Sequence, residues 1–198
     1  MIETFVDLRQ WFRERVEEAL DRKSASANEG TRAYLVELLA AIGVGRRRAP
    51  GHEPLALQLA SAREAPPGPE RLGRFRAIGD EALCLSGLFA DHLEHRGISP
   101  EYVHTMGGSA YESAGVLAAQ SATEAARIPV YRELSSEFRT FAQVLEEVRE
   151  STALRTPQDI VKLYDKWRRT GSARCAARLQ QAGVHPTFGP ILGKHTVH

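Results

Sequence analysis

Apolar residues along this chain recur at helical spacing, and alternation of the kind that marks a strand never persists. Phe5, Leu8, Phe12, Val16 and Ala19 form a 3–4 stripe that predicts a first helix over about residues 2 to 24. "SANE", Ser26 to Glu29, reads as a capping box that opens a second helix carrying Tyr34, Leu35, Leu38, Leu39 and Ile42 and stopping at Gly43. Pro54 opens a short third helix through Leu55 and Leu59. "EAPPGP", residues 64 to 69, cannot be helical and reads as a connector.

A long fourth helix is predicted from about Glu70 to Arg96, with Leu72, Phe75, Ile78, Ala82, Leu85, Phe89 and Leu93 on its stripe. Between Ala82 and Ala90 it is apolar nearly all round, which marks an enclosed helix. Gly97 ends it, and Ser99 with Pro100 supplies the N-cap and first position of a fifth helix through Tyr102, Val103, Met106, Ala110, Ala114 and Leu117. Pro129 opens a sixth through Leu134, Phe138, Phe141, Leu145 and Val148. "TPQD", Thr156 to Asp159, opens a seventh through Ile160, Leu163, Tyr164 and Trp167, and "TGS" at 170 to 172 precedes a last amphipathic piece that ends at Gly183.

The fold expected is therefore all-α: one domain over residues 1–198, a bundle of six to seven helices around a central antiparallel hairpin at about 70–122. The connector at 64–69 leaves room for residues 1–63 as an N-terminal helical subdomain.

Two glycines side by side in "YVHTMGGSAY" sharpen that picture, because Gly107 and Gly108 each cost about 1 kcal/mol against alanine inside a helix. Counting outward from a turn centred near residue 98 sets Gly87 opposite the pair, roughly 16 Å from the turn at 1.5 Å per residue. Small residues facing small residues let two helices approach more closely than usual. A second reading uses the same face: Glu101, His104, Gly108, Tyr111 and Gly115 share one side of the fifth helix, and with Gly107 they would border a flat cofactor of tetrapyrrole type resting on bare backbone.

Composition narrows the function classes. The chain has 198 residues, 42% hydrophobic and 26% charged, enough to bury a core. Its formal net charge of +1 provides no overall field toward nucleic acid or an anionic membrane. Cations are 22 Arg against 4 Lys, scattered among acids, as a GC-rich bacterial genome would encode. Cys84 and Cys175 form neither a disulfide framework nor a zinc pattern and read as buried thiols of a reducing, cytoplasmic compartment. "MIETFVDLRQ" carries acids early and does not read as a signal peptide, and no segment approaches the ~18 apolar residues of a membrane span.

Three clusters offer chemistry. Asp91, His92, Glu94 and His95 end the fourth helix while Glu101 and His104 begin the fifth. Asp91, His92, His95, Glu101 and His104 are thus the candidate metal ligands, with Asp91 and His95 at chelating i, i+4 spacing. Glu101-x-x-His104 has the spacing of a di-iron carboxylate motif but lacks its second copy. Arg46 to Arg48 form the one basic run and suit a phosphate or RNA, while Lys166, Arg168, Arg169, Arg174 and Arg178 surround Trp167 near the C-terminus and suit an acidic partner or a membrane surface. Nucleophile motifs are absent, and Ser109, mid-helix, lacks a strand-to-helix elbow.

The leading expectation is a non-catalytic cytoplasmic protein acting through protein–protein contacts, as adaptor, regulator or self-associating scaffold. The alternatives are a helical bundle binding a metal or cofactor through the Glu101/His104/Tyr111 face, and a nucleic-acid binder using Arg46–Arg48 with the C-terminal helix.

Overall fold

The computed structural model describes residues 2–43, 53–151 and 157–184. It is all-α, with ten α-helices, one 3-10 turn and no strand among the described residues. In chain order these are α1 (Ile2–Arg22), α2 (Glu29–Gly43), α3 (Leu55–Glu64), α4 (Pro69–Gly87), α5 (Ala90–His95), α6 (Pro100–Ala118), α7 (Ile128–Ser136), α8 (Phe138–Glu150), α9 (Pro157–Thr170) and α10 (Ala173–Gln181), with the 3-10 turn at Ala125–Arg127. None is long and apolar enough to cross a membrane.

The helices outnumber the six or seven expected because two predicted rods are each two helices. The first break follows Gly87, where the Cys84 carbonyl accepts from both the Leu88 and the Phe89 amides and α5 starts afresh at Ala90. The second falls at Glu137, which leaves helical geometry (φ −108°, ψ 26°) between α7 and α8. That bend lets α7 lie along α6 and α2 while α8 turns back across α4 and α1. Gly97, at φ +63°, closes α5 as expected: the Ile98 amide reaches back to the Leu93 carbonyl. The capping box at Ser26–Glu29 does not form. Asn28 caps α2 instead, its Oδ1 accepting from the Thr31 amide at 2.9 Å, and Glu29 pairs outward with Arg13. Ser99 holds the N-cap position of α6 without a side-chain capping bond, and Pro100 begins the helix.

One continuous hydrophobic cluster runs from Leu8 of α1 to Val184 after α10. Helices within residues 1–63 enter it alongside the rest: α1 packs on α8, α2 on α7 and α9, α3 on α4 and α6. Polar ties reinforce these seams. Glu133 of α7 accepts from the Asn28 amide and side chain, and Arg22 and Lys23 both reach Glu147 of α8. Cys84 and Cys175 are buried thiols.

The hairpin register differs from the one counted from the turn. α4 and α6 run antiparallel, with Gly79 beneath the Tyr111 ring and Ala82 against Gly107, so the effective centre lies near residue 95. Gly87 does not meet Gly107 or Gly108. A Cβ on Gly87 would stand 2.5 Å from Leu145 Cβ and 2.8 Å from the Ala142 carbonyl, so this glycine admits α8. The count failed because it treated α4 and α5 as one straight rod.

Candidate functional site

The glycine face of α6 holds protein. Phe138 fills the space beside Gly107, and Ser135 lies over Gly108, its hydroxyl donating to the Gly108 carbonyl at 2.9 Å. Tyr131 covers Gly115. The bare backbone that would seat a flat cofactor is where α7 and the start of α8 approach. Tyr111, on the same face, is fully buried.

Its hydroxyl defines the most unusual feature of the core. Tyr111 donates to Oδ1 of Asp80 at 2.7 Å, and Tyr34 of α2 donates to the same oxygen at 2.5 Å. Asp80 is completely buried, one of two polar or charged residues so placed among the described residues. The rings of Tyr34, Tyr111 and Tyr131 gather round it, with centroids 6.2 to 6.5 Å apart. Burial, and then the neighbouring Asp80, push the Tyr111 phenol well above its ordinary range, so it stays protonated and remains a donor. A carboxyl group shared by two phenols ties α2, α4 and α6 to one point.

At the start of α6, Glu101 and His104 separate by exposure. Glu101 is 79% exposed and pairs with Arg139 of α8 at 3.2 Å. His104 is half-buried against Phe138, and its Nδ1 has no hydrogen-bond partner among the described residues. Burial, then Arg139, draw the imidazole below its ordinary range against the opposing pull of Glu101. The guanidinium thus takes the place beside Glu101 that a cation would want. His95 is exposed on α5, while the side chains of Asp91, His92 and Glu94 lie outside the described residues. No group of three or more His, Cys, Asp or Glu suited to a metal occurs among the described residues.

Of the basic candidates, Arg46 to Arg48 and the Arg174 side chain lie outside the described residues. Trp167 is buried in the core, as the apolar stripe of α9 requires. Lys166, Arg169 and Arg178 are exposed, and Arg168 is half-buried. The structure adds Lys162, exposed on the same line as Lys166 and Arg169. The i, i+4, i+7 spacing of 162, 166 and 169 was present in the sequence and marks a single row down the outer face of α9. Five surface arginines elsewhere are neutralised, Arg9 by Glu37, Arg13 by Glu29, Arg22 by Glu147, Arg74 by Glu70 and Arg139 by Glu101, while Arg63, Arg132 and Arg178 are exposed without an acidic partner among the described residues. Lys162, Lys166 and Arg169 have no acidic partner within ion-pair distance among the described residues. Comparison of the chain with family models, with curated proteins and with solved structures gives no match.

Proposed function

We propose that this chain is a non-catalytic helical protein that acts through contacts with acidic surfaces of a protein partner, and that the outer face of α9 is its contact surface. The observation that carries the reading is the row Lys162, Lys166 and Arg169, three exposed cations aligned on one helix face and without acidic partners among the described residues, whereas Arg9, Arg13 and Arg22 are paired. A charge left unpaired in water is ready to exchange solvent for a partner's carboxylates. A protein partner fits better than nucleic acid. The row is short, Asp165 is exposed beside it, and the chain's net charge is only +1, whereas nucleic-acid binders spread many cations over one face.

The test is fluorescence anisotropy of a labelled polyglutamate peptide and a labelled oligouridylate with the full chain, at low and physiological salt. Polyglutamate binds, and the triple variant Lys162→Glu, Lys166→Glu, Arg169→Glu weakens it roughly tenfold or more, as three exposed pairs allow. Tighter binding of the oligouridylate, or polyglutamate binding indifferent to the triple variant, overturns the reading.

A further inference from the structure

We infer that the partner met by α9 is a second copy of this chain, which presents the outer face of its α1. This inference rests on the reading of α9 as a docking face and names what docks there. The row on α9 has a counterpart of opposite sign on α1. Glu14, Glu17 and Asp21 are all exposed and lie on one line with Gln10, whose amide hydrogen-bonds Glu14. None of the three acids has a cationic partner within ion-pair distance among the described residues.

The two rows match in step as well as sign. On α1 the intervals from 14 to 21 are three and then four residues, and on α9 those from 169 back to 162 are the same. Laid antiparallel, Glu14 meets Arg169, Glu17 meets Lys166 and Asp21 meets Lys162, each row spanning about 10 Å. The flanking cations of α1 do not oppose this, since Arg9 and Arg13 are held by Glu37 and Glu29. At longer range the charge is polarised. Residues 157 to 181 carry six cations and two acids, +4, which leaves −3 for the remainder of a chain whose total is +1. Such a distribution draws the C-terminal end of one molecule toward the body of another. Because α1 and α9 both pack on α2, the two rows flank one helix, and a two-fold pair engages both contacts at once. Contacts between exposed charges are weak and screened, so the dimer is reversible and salt-sensitive.

Sedimentation velocity of the full chain over a concentration series, at low and at high salt, reads this directly. The expected result is a concentration-dependent dimer at low salt that dissociates at high salt. Two charge-reversed proteins, Lys162→Glu/Lys166→Glu/Arg169→Glu and Glu14→Lys/Glu17→Lys/Asp21→Lys, are each monomeric alone and restore the dimer when mixed in equal amounts. All six positions are exposed, and an unchanged circular dichroism melt shows that the fold survives. A wild-type chain that stays monomeric at low salt while still binding polyglutamate through α9 overturns the self-pairing and leaves the docking face standing. Loss of polyglutamate binding as well overturns both. A dimer that persists in either reversed protein, or fails to return on mixing, assigns the contact to another surface and overturns the inference.

Discussion

The Phe138 ring stands where Gly107 would carry a side chain: a Cβ there would lie 2.3 Å from Cζ of the ring and 2.8 Å from Ala82 Cβ. The ring reaches that position because the chain bends at Glu137, so one hinge and one missing methyl group are two halves of a single contact. Gly107→Ala is therefore expected to destabilise the fold by about 1–3 kcal/mol, overpacking outweighing the gain in helix propensity. Gly73→Ala on α4, with nothing within 4 Å of its Cβ, should instead stabilise by about 0.5–1 kcal/mol. Urea unfolding of the pair measures both signs.

The observed register makes a separate prediction. Gly87→Ala drives a methyl group into the Ala142 carbonyl, which belongs to helix backbone and cannot swing aside, whereas a Cβ on Gly108 meets only the Ser135 carbonyl at 3.4 Å. Gly87→Ala should cost about 2–3 kcal/mol and Gly108→Ala less than about 1 kcal/mol. Equal costs would favour the glycine-to-glycine register that turn counting suggests.

Tyr111→Phe removes a buried donor to Asp80 and should cost about 1–3 kcal/mol, with Tyr34→Phe milder because Tyr34 is half-buried. Asp80→Ala removes the shared acceptor of both hydroxyls and should exceed either, at about 3 kcal/mol or more. Thermal melts of the three variants rank them.

Alkaline pH tests the same centre. The Tyr111 phenol is raised in the folded protein, chiefly by burial, while the unfolded phenol ionises near its ordinary value of 10. The folded state thus holds its proton where the unfolded state releases it. The stability this contributes is complete below pH 10 and declines as pH climbs beyond it. Tyr111→Phe should flatten that decline, and absorbance titration should show the loss of one phenol from those that ionise only with unfolding.

Acid tests His104, whose imidazole is lowered by burial and then by Arg139. Here the unfolded chain binds the proton more readily. The contribution is present above the ordinary value of 6.5 and lost as pH falls below it. Arg139→Gln should move the imidazole back up, seen as a shifted titration of its ring protons by NMR.

The apolar stripes of α1, α2 and α9 were legible because each faces one core and keeps a single period. The bends after Gly87 and at Glu137 were not, since the apolar stripe continues through both and only tertiary packing decides where the helix turns. Asp80 stands beside Glu81, just before the apolar reach from Ala82 to Ala90, so nothing local marks which acid is buried, and its two phenol donors come from distant segments. The Lys162–Lys166–Arg169 row could be read from spacing alone. That its members are unpaired depends on where every other carboxylate sits, and no local pattern carries that.

The indole N–H of Trp11 ends on the Ala182 carbonyl, 171 residues along the chain. During synthesis α1 is made long before this acceptor. The Trp11 indole therefore gains this bond only after α10 has been made, whereas α2 is available to pack on α1 much earlier, so the covering of one helix is spread over most of the time its folding partners take to appear.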